Sequence, residues 1–84
     1  MAVKRSIGQV FGDHLRELRQ KRGLTQVQVA DRCGFPQARI SELERGGRTP
    51  NLITILRLAL SLECKPVDLV AVFNNEDLAK LLPK

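Results

Sequence analysis

Between Thr25 and Arg45 the stretch TQVQVADRCGFPQARISELER has to form two helices with almost nothing between them. Thr25 followed by Gln28 has the form of a capping box, in which hydroxyl and amide satisfy each other's backbone N–H at a helix start. Val29, Ala30 and Cys33 then give a narrow apolar stripe, which predicts a helix over 25–33. Ile40 and Leu43 restart a helical period at once. Pro36, whose missing N–H would have no partner in a first turn anyway, marks the start of a helix over 36–45. Helices joined this tightly cannot lie antiparallel, so they must meet at an angle, with Gly34 in the bend where a side chain would collide with the preceding helix.

The remaining segments supply the bundle around that pair. Ser6 with Gln9 is a second capping box, and Phe11, Leu15 and Leu18 recur at helical spacing, predicting a helix over 7–22 closed by Gly23. Residues 1–6 read as a flexible arm carrying Lys4 and Arg5, and GGRTPN, residues 46–51, as an exposed loop. Asn51 caps a helix over 51–62 with Leu52, Ile55, Ala59 and Leu62 on one stripe and Ile53, Leu56 and Leu60 on another. A helix apolar on two faces needs two partners, the second being the chain's own C-terminal part or another copy. Pro66 opens a helix over 66–73. The tail, 74–84, has room for one short further helical turn with Leu78, Leu81 and Leu82. There is no hairpin signal, repeat or low-complexity segment, and the expected class is all-α, a single domain of 84 residues.

Charge points outward from this frame. The net charge is +5, and Met1 to Arg48 holds the whole excess, which suits a polyanion as well as a solvated surface. With no Trp or Tyr and only 3 Phe there is little to stack on unpaired bases, so duplex is the better polyanion. No apolar run nears the roughly 20 residues of a membrane span and no secretory signal is evident, so the expectation is cytoplasmic. Cys33 and Cys64 lack metal-ligand spacing and are expected as buried thiols; His14 is expected on the surface. No nucleophile–base pair, phosphate loop or metal cluster is in view, so neither catalysis nor a cofactor is expected, and a chain this short leaves no room for a sensor domain or small-molecule ligand.

Counted from Gln26, Ala30 falls at place 5, Gly34 at 9, Ile40 at 15 and Leu43 at 18. A small residue for close approach, a glycine for the turn and two inward apolar residues make the helix-turn-helix layout, whose second helix enters the major groove. Here LRELRQKRGLTQ, ISELERG and RTPNLITILRLALSL, within roughly Phe11 to Val70, resemble the lambda-repressor/Cro-like, or xenobiotic-response-element, family. The resemblance implies a five-helix bundle, a homodimer on a two-fold-symmetric operator and no enzymatic activity. It fits restriction-modification controllers, small phage repressors and DNA-binding antitoxins alike. The rival is a protein-interaction module that uses the same fold to bind a toxin or other partner protein.

Helix geometry selects the contacts. At about 100° per residue from Ile40, Leu43 and Glu44 point inward while Ala38, Ser41, Glu42 and Arg45 face out, with Gln37 and Arg39 flanking them. Base contacts are expected from Gln37, Ala38, Ser41 and Glu42, and from Arg39 to base or phosphate. Gln37 suits adenine, Ala38 a thymine methyl and Glu42 a cytosine amine, unless Glu42 instead pairs with Arg45 or Arg39. Phosphate contacts are expected from Arg39, Arg45 and Arg48. The resemblance adds Gln26 as a phosphate-binding glutamine, and pairs Arg19 with the inward Glu44 as a structural ion pair, Arg19 also reaching toward phosphate. Dimer contacts are expected from Ile53, Leu56, Leu60, Val72 and Phe73.

Overall fold

The structure, a computed structural model, describes residues 5–83. It contains α1 (Ile7–Lys21), α2 (Gln26–Cys33), α3 (Gln37–Arg45), α4 (Leu52–Ser61), α5 (Pro66–Val70) and α6 (Asn75–Ala79), with no strand among the described residues. Local chemistry sets the helix starts. The Ser6 hydroxyl accepts from the Gln9 amide at 3.1 Å while Gln9 Oε1 accepts from the Ser6 N–H at 2.9 Å, and Thr25 and Gln28 repeat this at 3.1 and 2.8 Å. Gly34 turns the chain out of α2 because of its left-handed backbone, at φ 75°, and not to avoid the collision expected there, since a Cβ would meet only Arg57 at 3.9 Å; Pro36 precedes α3 as its N-cap instead of standing in its first turn.

Phe11, Leu15, Val29, Ile40, Leu43, Leu58 and Leu69 form the centre of the core, drawn from five helices. Two expectations from the sequence fail here. Ile55, Ala59 and Leu62 face the core, but Leu58, on neither expected stripe, is fully buried with them, and Leu52, placed on their stripe, is 68% exposed beside Ile53 and Leu56. The helix expected over 66–73 ends at Val70, because Asn74 must be extended, at ψ 179°, to cap α6 by accepting from the Asp77 N–H at 2.9 Å. The chain leaves α5 early to reach that geometry, and Phe73 turns back onto the core.

α1 crosses α3 at the distance only glycine permits. A Cβ on Gly12 would stand 2.4 Å from the carbonyl oxygen of Leu43 and 2.6 Å from that of Glu44, and one on Gly8 would stand 2.8 Å from the Gly46 oxygen. These glycines cost α1 helix propensity and return a backbone-to-backbone contact that fixes α3. His14 is half-buried, not a free surface residue: its Nε2 donates to the Asp68 carbonyl at 2.6 Å and ties α1 to α5. Of the expected arm, Lys4 lies outside the described residues, while Arg5 pairs with Asp13 and its carbonyl accepts from Lys80 Nζ at 2.7 Å. Cys33 and Cys64 are free thiols, and burial pushes both above the ordinary thiol range.

Candidate nucleic-acid interface

α3 has one face in the core and one in water. Ile40, Leu43 and Glu44 are buried; Gln37, Ala38 and Arg45 are exposed; Arg39, Ser41 and Glu42 lie between. Each polar side chain on the outer face has an internal partner. Gln37 Nε2 donates to Gln26 Oε1 at 3.1 Å, Arg45 donates to the Ser41 hydroxyl at 3.1 Å, and Arg39 lies over the Phe35 ring at 4.6 Å, with Arg57 near the same ring at 5.5 Å. Glu42 takes neither Arg45 nor Arg39. Gly46, at φ 80°, folds the loop back so that the Gly47 N–H donates to the Glu42 carbonyl at 3.0 Å, and Arg48 Nε then comes within 3.2 Å of Glu42 Oε1. Exposed contacts of this kind hold the side chains in place at about 1 kcal/mol or less each, so an incoming polyanion can exchange them.

Beneath this face lies a charged cluster. Glu44 is 1% exposed, and Arg19 binds it with two parallel donors, Nε to Oε2 at 2.6 Å and a terminal nitrogen to Oε1 at 3.0 Å. Arg16 Nε at 3.4 Å and Gln26 Nε2 at 3.1 Å also reach Oε1. Burial pushes the Glu44 carboxyl up, but the Arg19, Gln26 and Arg16 donors outweigh it and hold the group below the ordinary carboxylate range. The same contact raises Arg19, whose other terminal nitrogen donates to the Leu24 carbonyl at 2.8 Å.

The residues singled out for DNA and for the dimer therefore fall into three groups. Gln37, Ala38, Ser41, Glu42, Arg39, Arg45 and Arg48 are all exposed or half-exposed, with Arg39 and Arg48 lining a groove together with Pro50 and Thr54. Gln26 is half-buried between Glu44 and Gln37, and Arg19 has donors committed inside the fold, so neither is a freely extended phosphate ligand. Ile53, Leu56 and Leu60 are exposed on α4 and Val72 is at the margin, whereas Phe73 is half-buried and packs against the core. Sequence reasoning missed Arg16, the stacking role of Phe35, and the link from Gln26 to Glu44; no periodicity announces contacts between residues 18 apart on different helices. Among the described residues no group of His, Cys, Asp and Glu could hold a metal ion, and no helix is long and apolar enough to cross a membrane.

Comparison with known proteins agrees with this geometry. A family profile described as helix-turn-helix matches residues 15–69. The uncharacterized HTH-type transcriptional regulator y4dJ of Sinorhizobium fredii is 44% identical over 61 residues, which cover 73% of this chain and 79% of that protein. Among solved structures, the restriction-modification controller protein C.AhdI from Aeromonas hydrophila superposes with a TM-score of 0.72 at 39% identity, over 74% of this chain and 94% of its own. The clp gene regulator ClgR from C. glutamicum shares the fold, with a TM-score of 0.78 at 18% identity over 96% of this chain and 100% of its own.

Proposed function

The chain belongs to the helix-turn-helix family of DNA-binding transcriptional regulators, and on that premise we infer that it is a cytoplasmic, sequence-specific regulator that binds a palindromic operator as a homodimer. The observation that carries this reading is the outer face of α3, where Gln37, Ala38, Ser41 and Glu42 stand exposed or half-exposed between Arg39, Arg45 and Arg48. The first four offer base-reading groups at the N-terminal part of a helix, and the arginines offer phosphate contacts beside them. Gln26 and Arg19 contribute by supporting that face, each with donors left over for the backbone. Support for the dimer comes from Leu52, Ile53, Leu56 and Leu60, an apolar row on α4 that the described residues leave exposed.

Selection from random duplexes, followed by binding at several salt concentrations, tests this. The expected result is a two-fold-symmetric consensus with half-sites roughly 34 Å apart and a steep fall of affinity with salt. Selection without a consensus, or binding indifferent to salt, overturns it. A second reading, a module that binds a toxin or another partner protein, draws on Leu78, Leu81 and Leu82, which are exposed on the tail. It predicts that Gln37→Ala and Arg39→Ala leave function intact.

A further inference from the structure

An ionised carboxylate accepts hydrogen bonds and donates none. Glu44, buried and paired with Arg19, is such a group, and one of the donors converging on its Oε1 is the side-chain amide of Gln26 at 3.1 Å. A glutamine amide left to itself has two nearly isosteric orientations, with oxygen and nitrogen exchanged. Gln26 does not have that freedom, because the exchanged orientation would set its oxygen against the carboxylate. Its nitrogen faces Glu44, so its oxygen faces away, and that oxygen accepts from Gln37 Nε2 at 3.1 Å. The constraint passes on: an exchanged Gln37 would place oxygen against oxygen.

We propose that Glu44, acting through Gln26, fixes the donor–acceptor polarity that Gln37 presents to the major groove, and is thus a positioning residue for base specificity; this rests on the DNA reading given above. Gln37 spends one N–H on Gln26 and keeps the other N–H and its oxygen for the groove. That pair complements adenine, which offers N7 as acceptor and its amino group as donor. The reversed amide would spend its oxygen and turn two N–H groups outward, complementing the two acceptors of guanine, N7 and O6. The buried carboxylate therefore selects adenine over guanine at one base pair it never touches. The second N–H of Gln26 stays unspent, in place for a phosphate oxygen.

The test starts from the selected consensus, with Gln37→Ala identifying the base pair that Gln37 reads. Affinity is then measured on duplexes carrying each of the four base pairs at that position, with thermal melting to establish that each variant is folded. Gln26→Leu leaves the Arg19–Glu44 pair intact. The double substitution Arg19→Met with Glu44→Leu removes both buried charges together, so neither is left uncompensated. Both should lower the preference for adenine over guanine at that base pair by about tenfold, while preferences elsewhere in the site stay unchanged. Glu44→Gln should retain the preference, since its amide oxygen can occupy the Oε1 place where three donors converge. Loss of the Gln26 phosphate contact lowers affinity on all four duplexes alike, so the ratio decides: an unchanged adenine-over-guanine preference in Gln26→Leu and in the double variant overturns the relay while leaving the DNA reading standing. Failure to select any consensus, or a consensus that Gln37→Ala does not alter, removes the reading of Gln37 and the relay with it.

Discussion

Arg19 and Glu44, 25 residues apart, meet through two parallel hydrogen bonds of 2.6 and 3.0 Å where α1 crosses α3. The pair is the electrostatic counterpart of the glycine contact beside it, and the two together determine where the recognition helix stands.

Removing one partner strands the other. Glu44→Ala leaves the Arg19 guanidinium, whose side chain is 13% exposed, without its carboxylate, and should cost about 3–5 kcal/mol by urea unfolding. Replacing both residues by apolar ones should cost far less.

The same carboxyl sets a pH dependence. Its folded value lies below that of an unfolded glutamate, about 4.3, so the unfolded chain takes up the proton first. The stability it contributes is fully present above that value and is lost as the pH falls through the folded value. The urea midpoint should decline in acid, and the decline should be shallower in the doubly apolar variant.

Gly12→Ala should destabilise even though alanine is the better helix former by up to about 1 kcal/mol. A methyl group 2.4 Å from the Leu43 oxygen must push α1 off α3, and the net loss should be at least about 2 kcal/mol. Gly23→Ala is the control: nothing lies within 4 Å of its Cβ, and only the left-handed backbone, at φ 68°, opposes it, for about 1 kcal/mol.

Leu60 is 80% exposed, so Leu60→Glu should leave monomer stability within about 0.5 kcal/mol. If the α4 row is the homodimer surface, sedimentation should show the variant shifted to monomer. An unchanged mass would move the dimer contact elsewhere.

Arg39→Ala and Arg48→Ala should each weaken binding about equally on all sequences and reduce the slope of log affinity against log salt by about 1. A change in base preference with an unchanged slope would assign the residue to the groove floor instead.

Local chemistry and the inward face of α3 were legible in the sequence; the phase of α4 was not. The capping boxes at Ser6 and Thr25 and the turn at Gly34 depend on residues within a few positions of one another, and the structure holds them where the spacing placed them. α4 is apolar on so much of its circumference that its pattern has no single direction; packing against α2 and α5 chose Leu58 for the core over Leu52. Phe73 read as continued helix because nothing in the Val-rich run signals that Asn74 must leave it. The use of Gly12 is invisible along α1 itself, since the carbonyls it admits belong to a segment some 30 residues on. The bond from Gln26 to Glu44 exists only once three helices are assembled.

A recognition helix seated backbone against backbone at Gly8 and Gly12 has little room to roll or slide. Any mismatch between its outer face and a straight duplex must then be taken up by the duplex. Operators for this protein should accordingly favour easily deformed pyrimidine–purine steps at positions no side chain reaches, and the elastic cost of bending the DNA becomes part of its sequence code.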